Sequence, residues 1–599
     1  MTNFFKTLFA STLGVIIGGV ILLLLTFLVL LGISLSSSST YELKDKTILV
    51  IDLNGSVNER KNQDVLGVLL GDSESIGLDD ITDAIKKAKE RNEIKGIYIK
   101  ARSLNCGIAS MEPIRNALVD FKKSGKFVVA YGDSYSQGTY YIASIADKVI
   151  MNPSGTLDFH GMSSGPMFVR GLYEKLGVKF QVFKVGTFKS AVEPYIQDRM
   201  SDANRLQTSS YMNDIWSYLL SGISDSRNIS VEQLNRYADQ CLTFEKADSI
   251  VKYGMVDTLM YSTNIEVYLK NLLKIDVMDD LNLASVENLT TIDFNEKGDK
   301  KNKIAVLYAE GEILQGSEGE GVFSAGNFIT AKEYVRELKK LKEDENVKSV
   351  VLRVNSPGGS AFASEQIWNA VAELKAVKPV VVSMGTYAAS GGYYISCAAS
   401  TIVAEPTTLT GSIGIFGLIP HGSELAEKMG VTFDEVSTNK HSNFGGQTFG
   451  IPFLVSAQSR EFSDDESRML QKYIENGYDL FLTRCADGRS KTKAEIDSIG
   501  QGRVWTGKQA LEIGLVDKLG GIDDAILIAA GEAKIKSYSI EKYPKKKDFL
   551  TQLMEESFRN TKTKTLKFFM GEEFDKKIIT QTLQNTDIQM AIMPDRINY

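Results

Sequence analysis

The chain has 599 residues, too many for one compact core. Hydrophobic residues at 43% and charged residues at 24% are globular proportions and exclude general disorder. With 68 basic against 75 acidic side chains the net charge is −7, which argues against a nucleic-acid surface, and the four cysteines contain no CxxC pair that would suggest a zinc ribbon.

No charged residue occurs from Thr7 to Tyr41, and Leu13 to Leu35 is almost wholly apolar. A helix needs about 20 such residues to cross the hydrocarbon of a bilayer, so residues 1–41 are expected to hold a transmembrane anchor. The competing reading is a cleaved signal peptide, whose apolar core is usually about 7–15 residues and ends in a small-residue cleavage site. Lys6 is the only side-chain cation before the span, while Lys44 and Lys46 follow it, so charge orients it weakly. An amino terminus inside, with the body outside the cytoplasm, is the expected topology because long following domains translocate largely regardless of charge.

The rest of the chain reads as a duplication. Tyr131 to Ala143 matches Met384 to Ser396 at five of thirteen positions with a constant offset of 253. A polar linker at Asn295 to Asn302 divides the halves, giving expected units 42–295 and 296–540, followed by a charged, helix-prone tail, 541–599. In the first half, Ile48 to Ile51, Ile97 to Ile99 and Phe127 to Val129 read as strands. Ile81 to Ala88 and Ile114 to Phe121 carry helical spacing. Such alternation predicts an α/β fold with parallel sheets and crossover helices. Ser463 and Glu466 form a capping box that predicts a helix toward Leu482.

Chemistry concentrates in the second half. Val380 to Ser383 reads as a strand ending at Met384-Gly385, and Thr386 to Tyr393 as the start of a helix carrying Ser390, Gly391 and Gly392. A serine there sits near the positive end of the helix dipole, beside the accessible N–H of Gly391. Asn355 to Ser360 contains Gly358 and Gly359 after a proline and reads as a tight loop whose N–H groups can face an oxyanion. Taken alone, Ser390-Gly391-Gly392 reads first as close packing and Gly358-Gly359 first as an ordinary turn. At successive strand ends of one parallel sheet, they point to a site. His160, His421 and His441 are the only histidines, and none lies in a pattern that marks it as a base. A lysine can serve if burial lowers its pKa. At offset 253, Ser390 corresponds to Gln137 and Gly358-Gly359 to Asn105-Cys106, whereas Lys189 corresponds to Ser442, with Lys440 close by. Each half keeps what the other lacks.

Gly186 to Pro194, Asn355 to Gly359, Met384 to Tyr394, Thr410 to Ile415, Gly502 to Gly507 and Gly514 to Asp517 occur in that order. Together they resemble the long, two-domain form of the signal peptide peptidase A family, membrane-bound Ser/Lys peptidases of bacteria. The resemblance implies tandem domains related to Clp protease and crotonase, and a homo-oligomer, a tetramer for the long form. It implies Ser390 as nucleophile, Lys189 as general base, Ser412 as the hydroxyl that orients the lysine, and Gly358, Gly359 and Gly391 as oxyanion donors. It further implies peptide substrates, chiefly released signal peptides at the bacterial cytoplasmic membrane; the Ser/Lys mechanism requires no metal or other cofactor, and the charge balance speaks against a nucleic-acid partner. A non-catalytic membrane-anchored peptide-binding scaffold and a crotonase-like acyl-CoA enzyme are the alternatives. The segment Asn443 to Gly450 shifts the later offset to 262 and reads either as a groove lining or as a loop insertion.

Overall fold

The computed structural model describes residues 4, 6, 11–14, 17–19, 21, 41–61, 76–292, 298–316, 328–451, 455–545 and 590–592. Most of the apolar run expected to be the anchor lies outside these residues, as does most of the tail. Among the described residues no helix is long and apolar enough to cross a membrane.

The first half is built on strands β1 (Thr47–Asn58), β2 (Ile94–Asn105), β3 (Phe127–Gly132) and β4 (Lys148–Met151), adjacent in that order and parallel. Parallel neighbours require crossovers, and helices α1 (Leu78–Glu90) and α2 (Ile108–Lys122) supply them. Helix α1 buries Leu78, Ile81, Ala84, Ile85 and Ala88, the i, i+3/i+4 stripe visible in its sequence. Each large aliphatic side chain on that stripe contributes about 1.5–3 kcal/mol by leaving water. Strand β5 (Lys179–Lys184) leaves this sheet altogether, and helix α3 (Asp202–Arg227) follows it under a Ser201 cap.

The second half repeats the plan with β6 (Lys303–Glu310), β7 (Val347–Ser356), a longer strand β9 (Val380–Ala389) and β10 (Thr401–Ala404), again parallel neighbours. Their central residues are fully buried, Val350, Val351, Leu352, Val380, Val381 and Val382 among them, as expected for a sheet covered on both faces. Two sequence readings need correction. Strand β9 does not end at Met384-Gly385 but continues to Ala389, and helix α4 (Gly391–Ser396) starts only after Ser390. Gly358 and Gly359 are not a tight turn but part of a short strand, β8 (Gly358–Ser360), with φ of 108° and 151° that a side chain would oppose. The long helix Asp464–Arg489 begins at the Ser463/Glu466 capping box, as its sequence predicts.

A third sheet ties the halves together. Strand β12 (Phe416–His421), which follows β11 (Leu409–Gly411), pairs antiparallel along its full length with β5 of the first half. On the other side it meets β15 (Met590–Ile592), which pairs antiparallel with β8. Of the expected insertion, Asn443 to Gln447 form a turn-rich loop, and Thr448 to Gly450 open strand β13 (Thr448–Ile451), which pairs antiparallel with β14 (Val455–Gln458) at the edge of this sheet. Of the charged tail, Glu541 to Tyr543 end a strand (Ser539–Tyr543) that pairs parallel with β6, and Met590–Ile592 form β15 on β8; these described stretches are extended, not helical.

Candidate active site

Ser390 is the hinge between β9 and α4, with φ 55° and ψ −114°. A non-glycine residue in such a conformation stores about 1–3 kcal/mol of strain and persists only where its surroundings impose it. Here the Ser390 N–H donates to the Gly411 carbonyl (2.8 Å) and its carbonyl accepts from Tyr394 N (2.8 Å). Tyr393 and Tyr394 fix the helix in turn, donating to the Leu515 carbonyl (2.9 Å) and to Glu365 (2.8 Å). Ser390 is fully buried.

Lys189 reaches the serine from the first half. It lies in the loop after β5, 201 residues away in sequence, and its Nζ donates to Ser390 Oγ at 2.7 Å. The same nitrogen contacts Ser412 Oγ (3.1 Å) and the Ser412 carbonyl (3.2 Å). The Lys189 side chain has no exposed surface, and burial alone pushes its pKa well below the ordinary lysine value. None of its hydrogen-bond partners is a carboxylate that would hold it charged. A neutral amine at this distance can take the serine proton.

The lysine loop is held mainly by elements remote in sequence. Phe188 N donates to the Gln501 carbonyl (2.9 Å), and Gln207 of α3 donates to the Phe188 carbonyl (3.0 Å) and Ser190 Oγ (3.0 Å). Gly502, with φ 81°, lies so close that a Cβ there would stand 2.6 Å from Lys189 N. Sequence reading missed Gln207 and Gln501 because nothing local marks them. Gly502 stood within a quoted motif but carried no role. Ser412 follows β11 with φ 48°, anchored by its N–H to the Arg503 carbonyl (2.7 Å).

The three glycines expected to donate to an oxyanion differ. Gly391 and Gly392 open helix α4, where N–H groups lack intrahelical acceptors. Gly359 lies in β8, between Ile313 on one side and Ala591 on the other. Gly358 N donates to Ser356 Oγ at 3.2 Å, so its N–H is already engaged. The rival bases stand otherwise. Lys440 is exposed and ion-paired to Asp465, and His160 lies beside Asp158 at an exposed position. His421 is buried in β12 with its pKa lowered by burial. Among the described residues no cluster suited to a metal ion occurs.

Comparisons with known proteins give the family. The chain is 37% identical to Protease 4 of Salmonella typhi, over 88% of this chain and 86% of that protein. It is 34% identical to Protease 4 of Haemophilus influenzae, over 86% and 83%. It is 29% identical to the chloroplastic serine protease SPPA of Arabidopsis thaliana, over 82% and 69%. The Clp protease family matches residues 322–408, and peptidase family S49 matches both halves, residues 120–276 and 372–536. A twofold match to one family over a duplicated α/β chain, with relatives aligned along most of its length, makes this protein a serine peptidase of family S49.

Proposed function

We propose that the chain is a membrane-anchored endopeptidase using a Ser390/Lys189 dyad split between its two halves. Neutral Lys189 removes the Ser390 proton, Ser390 Oγ attacks a peptide carbonyl, and the oxyanion forms toward the N–H groups of Gly391 and Gly359. Lys189 then protonates the leaving amine. A water deprotonated by the same lysine releases the acyl group. Ser412 holds the amine in line throughout. The observation that carries this reading is the 2.7 Å contact between a buried lysine with a depressed pKa and the hydroxyl of a strained serine.

The pairing of β15 with β8 supports an extended peptide as substrate, since one already lies along the glycine strand through main-chain contacts. An acyl-CoA enzyme needs neither that strand slot nor a serine–lysine contact. Resemblance to signal peptide peptidase A supports released signal peptides as the substrate class and a homotetramer as the assembly. The apolar run Leu13 to Leu35 supports an anchor that keeps the body outside the cytoplasm, at the membrane where such peptides accumulate.

The test is cleavage of a fluorogenic apolar peptide by residues 42–599 across pH 6–10, comparing wild type with Ser390→Ala and Lys189→Ala. Activity lost in both variants supports the dyad. Wild-type rates in Lys189→Ala would move the base to another residue. A folded wild type that binds peptides but cleaves none would make the protein a scaffold.

A further inference from the structure

The two catalytic strands of the second half do not pair in simple register. Val354 of β7 faces Met384 of β9, but Ser356 faces Ala388, so two steps on β7 span four on β9. The surplus is a bulge at Gly385 to Tyr387. It stands between the regular sheet and the two functional ends, with Gly358 just beyond Ser356 and Ser390 just beyond Ala389. The bulge therefore sets where the glycine strand lies relative to the serine. In the first half, β2 and β3 pair from Gly96 with Phe127 to Ala101 with Gly132 without a shift, and β3 ends at Gly132, the counterpart of Gly385 at offset 253. The bulge belongs only to the half that carries Ser390.

The first half grips this bulge at two points. Glu59, just past β1, is 3% exposed, and its carboxylate accepts from Arg353 Nε (2.9 Å), Arg353 Nη2 (3.2 Å) and Asn355 Nδ2 (3.1 Å). Asn355 Oδ1 in turn accepts from Tyr387 N in the bulge (3.1 Å). Glu59 Oε1 approaches so closely that a Cβ on Gly385 would stand 2.6 Å from it. At the next residue, the Thr386 hydroxyl shares a buried 2.7 Å hydrogen bond with Ser110, at the start of α2. Arg353 is 1% exposed and also donates to the Met384 carbonyl (2.8 Å), fixing the strand at the bulge's entry.

We infer that Glu59 and Ser110 of the first half are positioning residues for catalysis in the second: they wedge open the β9 bulge and so set the register between Ser390 and the Gly359 donor. This rests on the peptidase reading of Ser390. The first half then supplies both the base and the template that shapes the oxyanion site.

Glu59→Gln leaves Arg353 charged and buried without its partner, which endangers folding. The decisive variant is therefore Glu59→Leu with Arg353→Met, which removes both charges together, compared with Ser110→Ala. If the bulge sets catalytic register, the folded double variant loses about 100-fold in kcat with KM within about twofold, because misplacement by about 1 Å costs that much. Ser110→Ala shows a smaller loss of the same kind. Wild-type kcat in the folded double variant overturns the inference, and should that variant not fold, wild-type kcat in Ser110→Ala does so. If wild type itself cleaves nothing, the peptidase reading fails separately. Backbone amide exchange at Gly358–Ser360 and Gly391–Ser396 then decides: faster exchange in the variants supports the positioning role, and unchanged exchange refutes it.

Discussion

Lys189 Nζ and Ser390 Oγ lie 2.7 Å apart although they come from different halves of a duplicated chain. The lysine is buried without a carboxylate among its hydrogen-bond partners, so its charged form is disfavoured and its folded pKa falls well below 10.5. If Lys189 is the proposed base, activity requires the neutral amine, and kcat/KM should rise through a pKa well below that of free lysine and stay high above it. Lys189→Arg, always protonated, should abolish turnover by at least about 1,000-fold. The same shift affects stability. Between its folded and unfolded pKa values Lys189 binds fewer protons in the folded chain, so stability rises with pH across that window. Lys189→Met should therefore raise the melting temperature at neutral pH while removing activity. A lower melting temperature with a retained pH-rate limb would contradict the assignment.

Ser412 holds the same amine through its hydroxyl at 3.1 Å. Loss of one such hydrogen bond in a buried site costs about 1–3 kcal/mol. Ser412→Ala should thus lower kcat about 10- to 100-fold with KM nearly unchanged, and should lower the melting temperature modestly because the bond is also made in the resting fold. Steady-state kinetics at saturating peptide measure this directly. An unchanged kcat would make Ser412 a turn residue and nothing more.

The α/β alternation was legible because burial imprints periods of two and 3.6 on the sequence, as in Val380 to Val382 and in Ile81 to Ala88. The duplication was legible as repeated small residues and tyrosines. Register was not. Whether β9 stops at Gly385 or bulges and runs on to Ala389 depends on Glu59 and Ser110, which lie 326 and 275 residues before Gly385. The contact between Lys189 and Ser390 was likewise invisible to local pattern, since Gln207, Gln501 and Gly502 create it by packing. Only the resemblance to a family joined the two residues in advance.

Strand β15 occupies the space between β8 and β12, with Gly359 facing Ala591 and Phe416 facing Met590. An extended substrate that uses the same main-chain partners must displace it. A chain ending at Lys545 should accordingly show a lower KM with kcat unchanged. A synthetic peptide of residues 586–596 should inhibit that truncated chain competitively. Identical KM values for full and truncated chains, with no inhibition by the peptide, would separate the tail from the substrate slot.

Glu405 gives the second half a pH-dependent weakness. It is 1% exposed, its Oε1 has no hydrogen-bond partner among the described residues, and its pKa is pushed up to about 8. Burial is the main cause, nearby Glu112 adds to it, and Arg353 opposes it. The folded carboxyl therefore keeps its proton where the unfolded one, near 4.5, has lost it. The stability this proton provides is fully present below pH 4.5 and is lost as pH rises through about 8. Denaturant midpoints should consequently fall across that window, apart from the opposing contribution of Lys189. Glu405→Gln, neutral at every pH, should remove the Glu405 part of the fall and be more stable than wild type at pH 8. A variant whose midpoint tracks wild type across the whole window would mean that the carboxyl ionises without cost where it lies.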